Sequence, residues 1–363
     1  MKKRNTMILI PTLNPSPSLV QYVQDLIASG FDKILIVNDG SDIADYDETF
    51  KKIASFSQCT ILNHAVNLGK GRALKNGFNY FLNTYQYDTN VKGIITADSD
   101  GQHRIEDIIK LDDYFCELPS KDGLILGVRS FKHNFVPFKS KFGNTLTNGL
   151  FHILFGRKIS DTQTGLRGIP RSLIREYIEL KGERFEFETN QLIESVSKHI
   201  PFYEIGIETI YINDNSETHF DPIKDSIAIY TLLFSSFFKF IVSSLSSSIV
   251  DLVLFQVLLM LMTIFPDIQK IWMATIGARL CSSLFNYAIN KSIVFHNDTS
   301  HRSTLAKYYL LCIIQMCCSA TGVALLSGIL PFQKVIVKIV VDTVLFCISY
   351  QIQRKFVFGQ EHV

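Results

Sequence analysis

The chain has 363 residues, enough for two domains, and 47% of them are hydrophobic. Its 36 Lys and Arg nearly balance its 34 Asp and Glu, and this balance excludes the strongly basic surface of a nucleic-acid-binding protein. The mean hydropathy of +0.17 is high for a wholly soluble protein. Nearly all of the apolar excess lies after residue 227, so we expect a soluble first half and a membrane-embedded second half.

The first half alternates short apolar runs with helical patterns. The pattern predicts strands at residues 6–11, 33–38, 59–63 and 93–97, and helices at 16–29 and 69–83. Such alternation is typical of a mostly parallel sheet with helices on both faces. Ligands of such sheets bind at the carboxyl ends of the strands. The polar residues that follow the predicted strands are therefore site candidates: Asp39, Asn67, Asp98 and Asp100.

Three common ligand-binding motifs do not fit this half. No G-x-G-x-x-G follows the first strand, and Gly69-Lys70-Gly71 is not closed by the G-K-[ST] of a phosphate-binding loop. An EF-hand fails as well, because Gln102 stands where Asn or Asp is needed.

The beginning of the chain gives no secretion signal. Only four apolar residues, 7–10, separate the basic start from Pro11, which is too short for a signal-peptide core. The seven cysteines have no paired spacing typical of a zinc site or a disulfide framework. We therefore expect the first half to be cytoplasmic.

Asp98 and Asp100 flank one serine at the end of an apolar strand. Two carboxylates held this close repel each other unless a cation lies between them. Oxygen ligands of this kind favour Mg²⁺ or Mn²⁺, and Gln102 could add a third oxygen. Such an ion keeps open positions for substrate phosphates, so it can neutralise a departing diphosphate.

Six segments, in order, carry a family resemblance. They are 10–14 (I-P-T-L-N), 37–41 (V-N-D-G-S), 67–74 (N-L-G-K-G-R-A-L), 98–103 (D-S-D-G-Q-H), 127–129 (G-V-R) and 161–167 (D-T-Q-T-G-L-R). Together they resemble the family-2 glycosyltransferases of the GT-A fold, specifically the polyprenol-phosphate sugar transferases. The resemblance implies a Rossmann-like α/β domain with a mostly parallel sheet.

The resemblance also implies roles for single residues. Donor nucleotide binding would involve Pro11, Thr12, Asp39, Asn67, Lys70 and Asp98, and metal binding would involve Asp98, Asp100 and Gln102. The acceptor phosphate would contact Arg129, Arg167 and Lys139, and the catalytic residues would be Asp161, Asp100 and Arg129. Two alternatives stay open: Asp39 as a turn cap, and Arg129 with Asp161 as a structural ion pair. Either Glu186 or Glu188 could touch the sugar, or both could simply begin a helix.

The second half predicts four membrane spans, at residues 240–265, 271–290, 308–333 and 335–353. Basic residues outside the spans set the orientation. Seven would lie on one side (Lys224, Lys239, Lys291, Arg302, Lys307, Arg354 and Lys355) and two on the other (Lys270 and Lys334). This bias predicts a multi-pass protein of the cell membrane with both termini and the first half in the cytoplasm.

The membrane half resembles GtrA-like domains, in which the helices are thought to carry the sugar-lipid across the bilayer or to assist the transferase. The matching pieces include Lys239-Phe240, Ala278-Arg279 and Asn286-Tyr287. Polar groups inside spans are costly and are usually functional, so the candidates are Asp251, Arg279, Asn286, Lys338 and Asp342. We expect a catalytic domain at 1–222, a connector at 223–236 and an all-α, four-span domain at 237–363.

The predicted function is metal-dependent, inverting transfer of a sugar to polyprenyl (undecaprenyl) phosphate for a cell-surface glycan. A UDP-sugar, UDP-glucose first, is the favoured donor, and product flipping and homo-oligomerisation are left open. Aromatic and basic residues mix at 131–158, which suits the lipid interface or an internal amphipathic helix. The rivals are a polysaccharide synthase, disfavoured because the sole tryptophan, Trp272, lies in the membrane half, and a transporter or anchor that only binds a nucleotide-sugar.

Overall fold

The computed structural model describes residues 4–117, 123–129, 138–208, 224–295, 297, 300–329 and 333–359. The chain divides into two compact units, Met1–Leu233 and Phe234–Val363. Each unit has its own architecture. The segment predicted as a connector, 223–236, is helical from Lys224 onward.

The first unit contains a sheet and its surrounding helices. The strands are β1 (Thr6–Thr12), β2 (Ile34–Asn38), β3 (Cys59–Asn63), β4 (Gly93–Thr96), β5 (Leu124–Arg129), β6 (Arg167–Pro170) and β7 (Phe202–Ile207). The helices are α1 (Ser18–Ala28), α2 (Ile43–Ala54), α3 (Lys70–Thr84), α4 (Ile105–Glu117), α5 (Phe138–Phe155), α6 (Arg171–Ile178) and α7 (Glu186–Ser197). The four predicted strands agree with β1 to β4 within one residue or two.

The strands form one sheet in the order β3-β2-β1-β4-β6-β5-β7. β1 pairs in parallel with β2 and β4, β2 with β3, and β5 with β7. β6 is antiparallel to both of its neighbours, β4 and β5. The prediction of a mostly parallel α/β sheet is therefore confirmed. The reversed strand β6 was not predicted, because its sequence R-G-I-P holds one large apolar residue and includes Gly and Pro, which are rare inside strands.

The core of this unit surrounds β1. Residues 7–10 of β1 are fully buried, and Leu19, Val23 and Leu26 of α1 belong to the same core cluster as Ile8 and Ile10. A continuous apolar run is typical of a strand covered on both faces. This packing fixes the carboxyl ends of β1, β2 and β4 side by side.

The second unit is helical. Its helices are α8 (Lys224–Leu261, which begins in the first unit), α9 (Asp267–Ile289), α10 (His301–Ile329) and α11 (Lys334–Ile352). A π-helical turn follows α9 at Asn290–Val294, and another follows α11 at Gln353–Val357. Pro266 precedes α9 as its cap residue, as expected for a residue that cannot continue a helix.

The structure supports three of the four predicted spans. Within the described residues, three helices are long and apolar enough to cross a membrane: Lys224–Leu261, His301–Leu326 and Ile336–Val357. α9 is 23 residues long but does not meet this test. The reason is its polar side chains, which lower its hydropathy and hydrogen-bond to other helices: Ser282 to Asp251, Ser283 to Tyr309, and Asn286 to Ser247.

A short repeat that the sequence analysis missed ends α9 and α11. Residues 287–295 read Y-A-I-N-K-S-I-V-F, and residues 350–358 read Y-Q-I-Q-R-K-F-V-F. The matching amides meet, because Asn290 Nδ2 donates to Gln353 Oε1 at 3.0 Å. The matching rings, Phe295 and Phe358, stack with centroids 5.2 Å apart. The two helix ends thus form one buried seam from equivalent residues.

Candidate active site

The polar strand ends meet at one edge of the sheet. The Asp39 amide donates to the Thr12 carbonyl at 2.8 Å, and the Ala97 amide donates to the Leu9 carbonyl at 3.0 Å. These bonds extend the parallel pairing past the ends of β2 and β4. Asp39 and Asp98 are therefore carried to the same edge, as the sequence predicts.

Asp98, Asp100 and Gln102 form a tight turn after β4. The backbone amide of Gln102 donates to Asp100 Oδ1 at 3.0 Å, and Gly101 adopts a φ of +71°, a conformation that favours glycine. His103 closes the turn, since its Nδ1 accepts from the Asp98 amide at 3.2 Å. Burial lowers the pKa of His103, so the ring is held neutral and can accept this bond.

Lys70 forms an ion pair with this turn. Its Nζ lies 2.7 Å from Asp98 Oδ1 and 3.0 Å from Glu188 Oε2, and its side chain is 16% exposed. Burial opposes charge on both partners, but their attraction outweighs it. The pKa of Lys70 is raised by Asp98 and Glu188, and the pKa of Asp98 is lowered to about 2, chiefly by Lys70. The pair is therefore ionised at neutral pH.

Two glycines explain why Lys70 reaches Glu188. A Cβ on Gly69 would collide with the Glu183 carbonyl, and a Cβ on Gly71 would lie 2.7 Å from the Phe187 Cβ. The backbone before α7 therefore packs directly against the start of α3. The G-K-G sequence serves this close approach between two segments.

Asp39 holds the loop before α3. Its carboxylate accepts from the backbone amides of Leu68 at 2.9 Å and Gly69 at 2.8 Å, and contacts His64 Nδ1 at 2.7 Å. The second ring nitrogen of His64 bonds to Asn76 at 2.8 Å. Asp39 therefore has a structural role on the loop before α3, which differs from the expected cap of its own turn with Gly40. Among the other predicted donor residues, Pro11 and Thr12 are buried at the end of β1, and Asn67 is exposed on the loop.

Arg129 and Asp161 form a two-point ion pair. Arg129 Nε donates to Asp161 Oδ2 at 2.6 Å, and Nη2 donates to Oδ1 at 2.9 Å. The backbone amide of Gln163 also donates to Asp161 Oδ1, at 3.1 Å. Asp161 is fully buried, whereas the Arg129 side chain keeps 17% exposure. The geometry therefore favours a carboxylate that orients Arg129 over one that takes a proton.

The loop that carries Asp161 is fixed from several sides. Asn148 of α5 accepts from the Thr162 amide at 3.0 Å, and Thr164 Oγ1 donates to the Gly127 carbonyl at 2.6 Å. Thr96 Oγ1 donates to the Gly165 carbonyl at 2.8 Å. Gly165 then lies against the Asp98 carboxylate, with no room for a Cβ. The motif at 161–167 thus joins the Arg129 pair to the acidic turn.

One of the predicted acceptor-phosphate residues, Arg167, is buried rather than open to a ligand. Arg167 is 1% exposed, and its guanidinium donates to the carbonyls of Thr164 at 2.9 Å and Glu188 at 2.7 Å. Burial lowers the pKa of Arg167. Lys139 lies in α5, but its side chain is outside the described residues, as are Phe131 and Phe135 of the predicted interfacial segment.

Four of the polar candidates of the second unit form two ion pairs. Arg279 lies 3.4 Å from Asp251, and Lys338 lies 2.8 Å from Asp342 one turn along α11. Asn286 connects three helices. Its Nδ2 donates to Ser247 of α8 at 3.0 Å, and its Oδ1 accepts from Tyr308 of α10 at 2.9 Å.

The acidic turn fits a divalent cation that is shared with a ligand. No group of three His, Cys, Asp or Glu side chains that could enclose a metal occurs among the residues that the structure describes. Two carboxylates and an amide nonetheless lie within one turn, and Asp98 already holds a cation, the Lys70 ammonium. Mg²⁺ is commonly bound by one or two carboxylates together with substrate phosphates. Asp98 and Asp100 fit such a site, which has two carboxylate ligands and leaves other coordination positions open to substrate phosphates.

Sequence reasoning missed His64 as the partner of Asp39 and left the role of Glu188 undecided. The signal for Glu188 lay in the two glycines beside Lys70, which indicate a segment packed against the start of α3. No pattern in the sequence links His64 to Asp39, since the contact depends on the pairing of β2 with β3.

Comparison with solved structures finds distant likenesses. The mannosyl-3-phosphoglycerate synthase from Rubrobacter xylanophilus is 14% identical, covers 62% of this chain and 70% of that one, and has a TM-score of 0.41. The mannosyltransferase from Pyrobaculum calidifontis in complex with GDP-Man and Mn²⁺ is 11% identical, covers 98% of this chain and 88% of that one, and has a TM-score of 0.39.

Sequence comparison is more specific. Residues 7–178 match the model described as glycosyl transferase family 2, and residues 239–358 match the GtrA/DPMS transmembrane domain. A UDP-N-acetylglucosamine–dolichyl-phosphate N-acetylglucosaminyltransferase of Methanococcus voltae is 26% identical over 56% of this chain and 85% of that protein. A dolichyl-phosphate beta-glucosyltransferase of Saccharomyces cerevisiae is 28% identical over 55% of this chain and 65% of that protein.

Proposed function

Because the chain is a membrane glycosyltransferase that joins a family-2 glycosyltransferase domain to a GtrA/DPMS transmembrane domain, we propose that it transfers a sugar from a nucleotide-sugar to a polyprenyl phosphate. The observation that carries the proposal is the ionised cluster of Asp98 and Lys70 at the carboxyl edge of the sheet. A cluster of both signs suits a diphosphate together with its metal ion.

The donor is a nucleotide-sugar bound over this edge, with UDP-glucose or another UDP-hexose favoured. Asp98, Asp100 and Gln102 would hold Mg²⁺ or Mn²⁺ there. When bound, such an ion supplies neutralisation of the diphosphate that leaves. Lys70 adds a positive charge from the protein itself, and it is fixed in place before any ligand arrives.

The acceptor is a lipid phosphate, undecaprenyl phosphate first, and Arg129 is its proposed contact. Arg129 is oriented by Asp161 and retains exposed surface. The names of the two sequence relatives include dolichyl phosphate, which is a lipid phosphate of the same chemical class. A family-2 domain followed by apolar helices suits an acceptor that lives in the membrane.

The chemistry asks little of a general base. A phosphate monoester is already anionic at neutral pH, so it can attack the anomeric carbon without losing a proton first. Positioning and charge stabilisation then supply most of the catalysis. Attack from the side opposite the diphosphate inverts the anomeric centre, and a product of retained configuration would contradict this proposal.

For the membrane unit we propose four spans, with α9 as the fourth, and a cytoplasmic catalytic domain. The 23 residues of α9 extend about 35 Å, which exceeds the roughly 30 Å hydrocarbon core. Its polar side chains bond to neighbouring helices, which removes much of the cost of placing them in lipid. Flipping of the product stays a prediction.

The test is transfer of radiolabelled sugar to undecaprenyl phosphate by the full-length protein in detergent, across a panel of UDP- and GDP-sugars. We expect a chloroform-extractable product that requires Mg²⁺ or Mn²⁺ and is abolished by chelation. Asp100→Ala should lower the rate by at least about a hundredfold. Asp42→Ala, which changes an exposed aspartate at the start of α2, is the matched control. Equal transfer by Asp100→Ala and the control would end the assignment.

A further inference from the structure

The Lys70 ammonium occupies the position where a cation is needed beside Asp98. It lies between two carboxylates, 2.7 Å from Asp98 Oδ1 and 3.0 Å from Glu188 Oε2. Glu188 uses only one oxygen for this contact. Its other oxygen, Oε1, is buried and has no hydrogen-bond partner within the described part of the chain.

Glu188 is held firmly in this place. Its carbonyl accepts from Arg167 Nη1 at 2.7 Å, and its amide donates to the Phe185 carbonyl at 3.3 Å. Phe185 also lies beneath the ammonium, with its ring centroid 5.6 Å from Lys70 Nζ. Glu188 is therefore held rigidly, whereas the Lys70 ammonium lies at the end of a flexible four-carbon side chain.

We propose that Lys70 acts as a built-in counter-ion for Asp98 that a divalent metal must displace, and that Glu188 is the positioning residue that keeps the displaced ammonium in the site. The inference rests on the proposed function, which places the metal at Asp98. A metal ion and an ammonium cannot both contact the same carboxylate oxygen without strong repulsion. The vacant Glu188 oxygen gives the ammonium a second acceptor, so the charge stays beside the donor diphosphate.

The proposal predicts opposite effects for the two residues. Lys70→Met removes the competitor, so Mn²⁺ should bind more tightly, by about tenfold. Glu188→Gln removes the negative charge that attracts the displaced ammonium, so Lys70 should stay on Asp98 and Mn²⁺ should bind more weakly, again by about tenfold. A purely structural role would lead both variants to bind Mn²⁺ more weakly.

The experiment measures Mn²⁺ affinity of the full-length protein in detergent without nucleotide, from the electron paramagnetic resonance signal of free Mn²⁺. The double variant Lys70→Met/Glu188→Gln separates two routes by which Glu188 could act. We expect its affinity to equal that of Lys70→Met, because Glu188 acts through Lys70. Lys75→Met is the matched control: it removes another α3 lysine, paired with Glu183 at 3.0 Å, and should leave Mn²⁺ affinity unchanged.

Three results would overturn the inference. One is weaker Mn²⁺ binding by Lys70→Met, provided that its thermal midpoint shows a folded protein; Lys70→Gln, with the same expected direction, guards against a misfolded variant. Another is an equal loss from Glu188→Gln with and without Lys70, which would mean that Glu188 acts on the metal directly. The third is an absence of Mn²⁺ binding by the parent protein, which would also remove the metal from the proposed function. Sugar transfer is measured in a separate assay, so failure of this inference can be distinguished from failure of the proposed transfer.

Discussion

The Arg129 guanidinium and the Asp161 carboxylate meet in a bidentate ion pair, with donor–acceptor distances of 2.6 and 2.9 Å. Asp161 is fully buried, and Arg129 reaches toward the surface. The pair joins the end of β5 to the loop before β6. The same contact therefore stabilises the fold and orients the arginine of the proposed acceptor site.

Asp161→Asn should destabilise the protein as well as lower its activity. The substitution leaves Arg129 without its counter-charge, and breaking a buried pair on one side typically costs about 3 kcal/mol. The thermal midpoint of the full-length protein in detergent measures the loss. Asp161→Ala combined with Arg129→Ala should be less destabilising than the sum of the single changes. A variant that melts like the parent yet does not turn over would instead favour Asp161 as a base.

Gly165→Ala should impair the acidic turn without touching a ligand. The added methyl group would collide with the Asp98 carboxylate. We expect Mn²⁺ affinity and the transfer rate to fall together, each by about tenfold or more. Gly206→Ala is the control, since a Cβ there meets nothing within 4 Å. Similar Mn²⁺ affinities in the two variants would show that Asp98 can move without consequence.

Asp39→Ala should destabilise the protein, because Asp39 caps backbone amides of the loop before α3. The residue accepts two backbone amides at the start of α3 and contacts His64. Their loss should lower the free energy of unfolding by about 2–3 kcal/mol, because charged hydrogen bonds to buried donors are lost. Asp42→Ala, which removes the exposed cap of α2, should cost about 1 kcal/mol or less. Equal thermal midpoints for the two variants would leave donor binding as the main role of Asp39.

Asn286→Ala should destabilise the membrane unit. The amide bonds to Ser247 and Tyr308 and accepts from Asn290 at 2.9 Å. Each such bond in a membrane bundle contributes roughly 0.6 kcal/mol, so the loss should reach about 1–2 kcal/mol. Thermal unfolding in detergent measures it, while Mn²⁺ affinity should not change. Ser292→Ala is the control, because Ser292 is exposed and, among the described residues, its hydroxyl bonds only to the Ala288 carbonyl one turn earlier. A midpoint for Asn286→Ala no lower than that control's would contradict the prediction.

Much of the first unit could be read from the chain because its signals are local. Buried strands such as β1 are continuous apolar runs, and polar residues follow them directly in sequence. The parallel pairing of those strands then brings Asp39 and Asp98 to one edge by geometry alone. Strand β6 gave no such signal, because its residues R-G-I-P include Gly and Pro in place of a continuous apolar run.

The membrane unit shows the opposite limit. Hydropathy identified four apolar segments, but α9 carries polar side chains and is not apolar enough to count among the candidate spans. Their partners lie on other helices, so composition alone cannot tell a lipid-facing serine from one that bonds within the bundle. The repeat at 287–295 and 350–358 was present in the sequence and was overlooked.

The sequence by itself determined the mostly parallel sheet, the acidic turn after β4 and the apolar second half, because each depends on residues close together in the chain. Only the tertiary structure decided which charges neutralise one another: Lys70 between Asp98 and Glu188, and Arg129 on Asp161. The physical reason is that a charge is stabilised by whatever lies within a few ångströms of it. Those neighbours come from segments that are 28 or more residues apart in the chain, brought together by packing that no local pattern records.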